Sequence, residues 1–197
     1  LADVMSTEAL AITMAIETET TEVITTESLV QPTEEITTEG NTLVSIHGRL
    51  KLDGQQIVDQ SGAPIQLRGV STHGIQWFPE YVSLDAFKTM RDNWHINIVR
   101  LAMYTDPNVG YDEKLHALVE KGVAYATELD LYVIIDWHAH EFYPDLAKEF
   151  FGSMARKYGK YPHVIYEIFN EPTHNHFWPE IKAYAEEVIA EIRKYDP

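Results

Sequence analysis

The sequence contains no cysteine, which removes disulfide scaffolds, thiolate zinc sites and cysteine nucleophiles from consideration. Basic residues are scarce. Only 15 Lys and Arg stand against 31 Asp and Glu, leaving a formal net charge of -16. A chain this acidic repels phosphate backbones and anionic lipid, so no nucleic acid and no membrane surface is expected as a partner. Nowhere do 18 apolar residues run together, so no segment is expected to span a bilayer. No Gly-rich phosphate loop follows any apolar run either. That absence argues against an open doubly wound sheet.

The charge is unevenly spread. Residues 1–40 hold ten Thr, eight Glu and one Asp without a single Lys or Arg, so -9 falls there and -7 on residues 41–197. From Glu17 to Gly40 the text is a loose Thr/Glu repeat with too few large apolar groups to offset the entropy of ordering it. Residues 1–40 are therefore expected to form a disordered linker or tail, and residues 41–197 a folded domain. Residues 1–16 lack the basic start of a signal peptide, which suggests that the true N-terminus is missing.

Past Thr42 the apolar pattern becomes regular. Arg49–Leu52, Gln56–Val58 and Ile65–Leu67, separated by Asp53-Gly54 and Ser61-Gly62, read as three small antiparallel strands. Longer apolar runs follow at Gln66–Val70, Ile96–Met103, Leu131–Trp137 and Val164–Phe169, about 30 to 35 residues apart, as successive strand–helix units should be. Ser83, Asp112 and Asp145 are expected to cap the first three intervening helices, the third ending near Gly159. A fourth helix is expected over 179–194, with Ile181, Tyr184, Val188 and Ile192 on one stripe. Continuous apolar strands joined by helices indicate an α/β fold with a parallel sheet. An eight-stranded (β/α)8 barrel, rather than an open doubly wound sheet, is favoured by what ends each strand.

Those ends are chemically loaded. The first leads into Ser71-Thr72-His73-Gly74-Ile75-Gln76-Trp77; the second carries Arg100 and closes at Tyr104; the third ends Asp136-Trp137-His138; the fourth ends Asn170-Glu171-Pro172. In a parallel barrel such ends converge on one face. Glu171 is the sharpest candidate, because a carboxyl at the rim of an apolar strand should be partly desolvated, which raises its pKa toward that of a general acid. Asn170 offers donors to a sugar hydroxyl, and Arg100 can hold a second carboxylate ionised. Trp77 and Trp137 present faces on which a pyranose could stack. Glu167 lies four residues before Glu171, roughly 13 Å along the strand. That exceeds the 5 to 9.5 Å or so that separates glycosidase carboxylates, so Glu167 is assigned to the barrel interior.

STHGIQWFPE, NIVRLAMYT, YVIIDWH and VIYEIFNEP closely resemble, in order and spacing, the strand-end motifs of glycoside hydrolase family 5, the endoglucanases of cellulase family A. The resemblance runs from about residue 45 to the last residue. It implies a TIM-barrel, secreted, metal-independent and cofactor-free retaining enzyme that cuts internal β-1,4 linkages of a glucan polysaccharide. By the same resemblance Glu171 is the acid/base, Asn170 binds the sugar at the cleaved bond, and Arg100 supports the nucleophile. His73, Tyr104 and His138 line the cleft, and Trp77 is a stacking platform. A carbohydrate-binding module linked through residues 1–40 is a further expected partner. The pattern departs at His140, which opens a short aromatic loop, and at the number of units. Four are expected here, the N-terminal half of the barrel, with the nucleophilic glutamate outside the chain and the chain alone inactive. Two other readings remain open: a metal-dependent barrel hydrolase using the His138/His140 and His174/His176 pairs, and a carbohydrate-binding remnant without catalysis.

Overall fold

The computed structural model describes residues 42–197. The expectation of a linker over residues 1–40 lies outside the described residues.

Thr42 opens the described chain with a capping box: its hydroxyl accepts from the Ser45 N–H while Ser45 reaches back, and one short helix follows, α1 (Leu43–His47). A two-stranded antiparallel hairpin comes next, β1 (Lys51–Asp53) with β2 (Gln56–Val58), turning at Gly54 with φ +61°. The third strand expected there, Ile65–Leu67, does not form; a single bridge from Val58 to Pro64 is all that continues the pairing. Bonds from the Asp59 N–H to the Ala63 carbonyl and from the Ile65 N–H to the Ile57 carbonyl flank that bridge.

Alternating strands and helices make up the remainder: β3 (Gly69–Ser71), α2 (Leu84–Trp94), β4 (Ile98–Tyr104), α3 (Leu115–Glu128), β5 (Tyr132–His138), α4 (Pro144–Tyr158), β6 (Val164–Glu167) and α5 (Trp178–Ile192). The strands lie in the order β3-β4-β5-β6, all parallel. This is four successive βα units of a (β/α)8 barrel. Ser83 caps α2 as expected, its hydroxyl accepting from the Ala86 N–H. The other two caps differ. Pro144 takes the first position of α4, where its missing N–H costs nothing, and moves Asp145 inside the first turn. Asp112 accepts from the Lys114 N–H one turn before α3 begins.

The strands bury alternate residues against the helices. Val99, Leu101 and Met103 of β4 and Val133, Ile135 and Trp137 of β5 join Phe87, Val119, Val123, Phe150, Phe151 and Val188 in one core. Period two then sends Arg100, Ala102, Tyr104, Ile134, Asp136 and His138 to the opposite face, toward the barrel axis. Trp137, a candidate stacking platform by sequence, is therefore completely buried between Phe150 and Phe151. At the N-terminal end of the strands the hairpin region is tied down by Tyr132, whose hydroxyl donates to the Gly48 carbonyl at 2.7 Å, and by the Val44 N–H bonded to Asp130. The other end is left open for the loops that carry chemistry.

Candidate functional site

Strand register determines which side chains meet at the C-terminal end of the sheet. Asp136 of β5 pairs across to Ala102 on one side and Glu167 on the other, and Arg100 sits one pleat lower on the same face. Arg100 fills the space between them. Its Nε donates to Glu167 Oε2 at 2.7 Å and its terminal nitrogen to Glu167 Oε1 at 2.6 Å, a fork-to-fork pair. The same nitrogen is 2.9 Å from Asp136 Oδ2 and donates to Asn170 Oδ1 at 2.8 Å, while the other reaches the Ser71 hydroxyl at 3.1 Å. One cation thus gathers side chains from all four strands or their ends.

The electrostatics follow from that packing. Asp136 is fully buried, and desolvation pushes its pKa up, further helped by the nearby Glu167 charge; hydrogen bonding from His138 and the charge of Arg100 pull the other way. Arg100 is held still more firmly protonated by its bond to Glu167. Glu167 faces the axis, as its assignment to the interior requires, and is occupied by Arg100. Because Arg100 takes the Asn170 carbonyl oxygen, the amide nitrogen is the end left free, and it has no partner among the described residues.

Above this cluster runs a row of rings. The chain beyond β3 continues to ride on β4: Thr72 N–H donates to the Arg100 carbonyl, Ile75 N–H to the Ala102 carbonyl, and the Gln76 amide brackets the Tyr104 backbone. That docking delivers His73 and Trp77 to Tyr104. Trp77 stands 4.7 Å and His73 6.0 Å from the Tyr104 ring, Tyr104 stacks on His138 at 4.0 Å, and His138 meets His140 edge-on at 5.7 Å. Gly74 has to be glycine at this corner, since a Cβ there would stand 2.5 Å from the Trp77 ring. His138 is fixed by its Nδ1, 2.7 Å from Asp136 Oδ2, a carboxylate–imidazole contact that orients the ring. Trp77 remains 42% exposed, so its face is open to a ligand.

All seven residues expected at the site reach this mouth: His73, Trp77, Arg100, Tyr104, His138, Asn170 and Glu171. One expectation about them fails. Glu171 is 73% exposed, so the desolvation assigned to it is not there; it sits outside the sheet on a loop whose N–H is tied to the Ala139 carbonyl. His140 Nε2 is 3.3 Å from its Oε2. Asp136, the buried hub under His138, is a site residue that the sequence marks only by an acid set between two apolar residues and an aromatic pair at a strand end. The paired histidines do not gather as metal ligands: His138 faces Asp136, His140 faces Glu171, His176 donates to the His140 carbonyl at 2.8 Å, and His174 is exposed. Among the described residues no three His, Asp or Glu side chains are grouped to hold a metal ion.

This constellation has known counterparts. The family model described as Cellulase (glycosyl hydrolase family 5) matches residues 58–197. Endoglucanase A of Butyrivibrio fibrisolvens is 45% identical over 163 residues, covering 76% of this chain and 38% of that protein. Among solved structures, the catalytic domain of Thermobifida fusca endoglucanase Cel5A (E5) superposes with a TM-score of 0.74 at 37% identity, covering 79% of this chain and 53% of that one. A single-residue variant of that catalytic domain in complex with cellotetraose gives a TM-score of 0.68 at 38% identity over 79% of this chain and 53% of that one. The chain spans less than two-fifths of the length of the curated relatives it matches first.

Proposed function

This chain belongs to glycosyl hydrolase family 5, and from that premise we propose that it supplies the acid/base half of an endo-acting β-1,4-glucanase, a secreted cellulase that works by retaining double displacement. The observation that carries the reading is the mouth itself: one open carboxylate, Glu171, stands at the end of a row of rings, while the other two carboxylates are locked on Arg100. Open carboxylate and ring wall suit a neutral, hydroxyl-rich polymer, where apolar sugar faces stack and hydroxyls take the remaining donors.

In the proposed reaction the glucan lies along Trp77, Tyr104 and His138. Glu171 gives its proton to the glycosidic oxygen as the bond to the anomeric carbon breaks. The Asn170 amide nitrogen, oriented by Arg100 on its other end, donates to a hydroxyl of the sugar at the cleaved bond. A second carboxylate, supplied from outside these 197 residues, forms the covalent glycosyl intermediate, and Glu171 then takes a proton from the water that hydrolyses it. Arg100, already paired with Glu167 and close to Asp136, supports that nucleophile from the floor of the site as the family pattern implies. A carbohydrate-binding module tethered through residues 1–40 would keep the enzyme on its polymer.

The leaving group tests the acid role. In an enzyme that carries this sequence together with its nucleophile, Glu171→Gln is expected to lose most activity on cello-oligosaccharides, whose leaving group needs protonation, and far less on aryl glycosides with acidic phenols. Equal losses on both substrates would contradict the assignment.

A further inference from the structure

Glu171 needs something to hold it. A glutamate this exposed loses rotamer freedom only where a partner restrains it, and His140 is the side chain bonded to it among the described residues. His140 is itself anchored on both sides. Its carbonyl accepts from His176 Nε2 at 2.8 Å, and the His176 ring is nearly buried against Phe142 at 4.4 Å, with Glu141 3.3 Å from the same nitrogen. Its own ring stands edge-on to His138 at 5.7 Å and 6.4 Å from Tyr104. The neighbouring Ala139 carbonyl receives the Glu171 N–H at 3.2 Å, which fixes the backbone of the acid beside that of the histidine.

Two exposed side chains that both move freely average their contact away. Here the backbones of both are fixed, Glu171 on Ala139 and His140 on His176, and the His140 side chain is less exposed than that of Glu171, 43% against 73%. We propose that His140 is a positioning residue for Glu171, donating from Nε2 to Oε2 so that the carboxyl stays aimed along the ring wall toward the bound glucan. The inference rests on the reading of Glu171 as the acid, and it gives a task to the loop residue that departs from the family pattern. His176 acts one step further back, as the clamp that holds the His140 backbone.

The test reads the rotamer of Glu171 directly. In the 197-residue chain, three-bond NMR couplings across Glu171 χ1 are measured for the parent, for His140→Phe, which keeps a ring but loses the N–H, and for His140→Gln, which keeps an N–H donor. The parent is expected to show one dominant rotamer, the Phe variant averaged couplings, and the Gln variant a return toward the parent values. Couplings in His140→Phe that match the parent would overturn the proposal. Cellotetraose added to the same samples keeps the two readings apart: failure to shift Trp77 or Tyr104 counts against the glucanase assignment, while the couplings alone decide the role of His140.

Discussion

Arg100 carries one positive charge and has Glu167, Asp136, Asn170 and Ser71 around it, so two acidic groups share a single guanidinium. Glu167 takes the fork and Asp136 the remainder. Burial without full compensation explains why the Asp136 pKa is raised, and the sign has a consequence for stability. A carboxyl whose folded pKa lies above its unfolded value contributes stability that is full below about pH 4, the unfolded value, and is lost as pH rises through the folded one. Asp136→Asn removes that titration. Urea midpoints from pH 3.5 to 7 should show the variant gaining on the parent as pH rises, by up to roughly 1.4 kcal/mol for each pH unit between the two pKa values. A flat difference between the two proteins would mean that Asp136 is not strained by burial. Arg100 is legible at this scale as the one charge inside an apolar run, and Asn170 and Glu171 as polar residues at the end of one. The exposure of Glu171 and the hub role of Asp136 were not, since both depend on contacts such as Arg100 to Glu167, 67 residues apart in sequence.

Strands β4 and β5 and all four helices of the repeating units were readable because their apolar periods are long enough to dominate local choices. The errors fall where one residue decides. The third hairpin strand stops at a single bridge, Val58 to Pro64, Pro144 displaces the expected Asp145 cap, and the five residues of α1 give no period, only a Thr42–Ser45 capping box. Trp137 was misplaced because a fully apolar strand reads the same on both faces; register alone turns it to the core. Gly69 shows how tight that register is. A Cβ there would lie 1.9 Å from the Ile98 carbonyl oxygen, a backbone atom that cannot step aside. Gly69→Ala should therefore push β3 off β4 and cost about 1–3 kcal/mol, read as a lower denaturant midpoint together with lost protection of the Thr72 and Ile75 amides, which bond across to β4. A midpoint equal to the parent's would show that the two strands do not need this close approach.

At the scale of the molecule, β3 and β6 each pair on one side only among the described residues. Beside β6 runs a groove of about 590 Å³ lined by Leu50, Leu52, Ile165, Ile168, Ile189 and Arg193. The unpaired edge of β6, next to exposed Leu52 and Ile189, is a template for association. The 197-residue polypeptide is expected to associate with itself, which light scattering reads as a mass above 22.6 kDa; a monodisperse monomer would contradict this. It should release no sugar from carboxymethylcellulose, because among the described residues the two carboxylates on the sheet face below the ring wall, Asp136 and Glu167, are both held on Arg100. Turnover abolished by Glu171→Ala would refute that. The central claim, that the ends of β3 to β6 form a β-glucan cleft, is tested most directly by titrating this polypeptide with cellotetraose while observing its tryptophan and histidine side chains by NMR. The account predicts saturable shifts at His73, Trp77 and His138, none at Trp94 on the far end of α2, and weaker binding in Trp77→Ala. Shifts at Trp94 instead, or no saturable shift at the mouth, would contradict it.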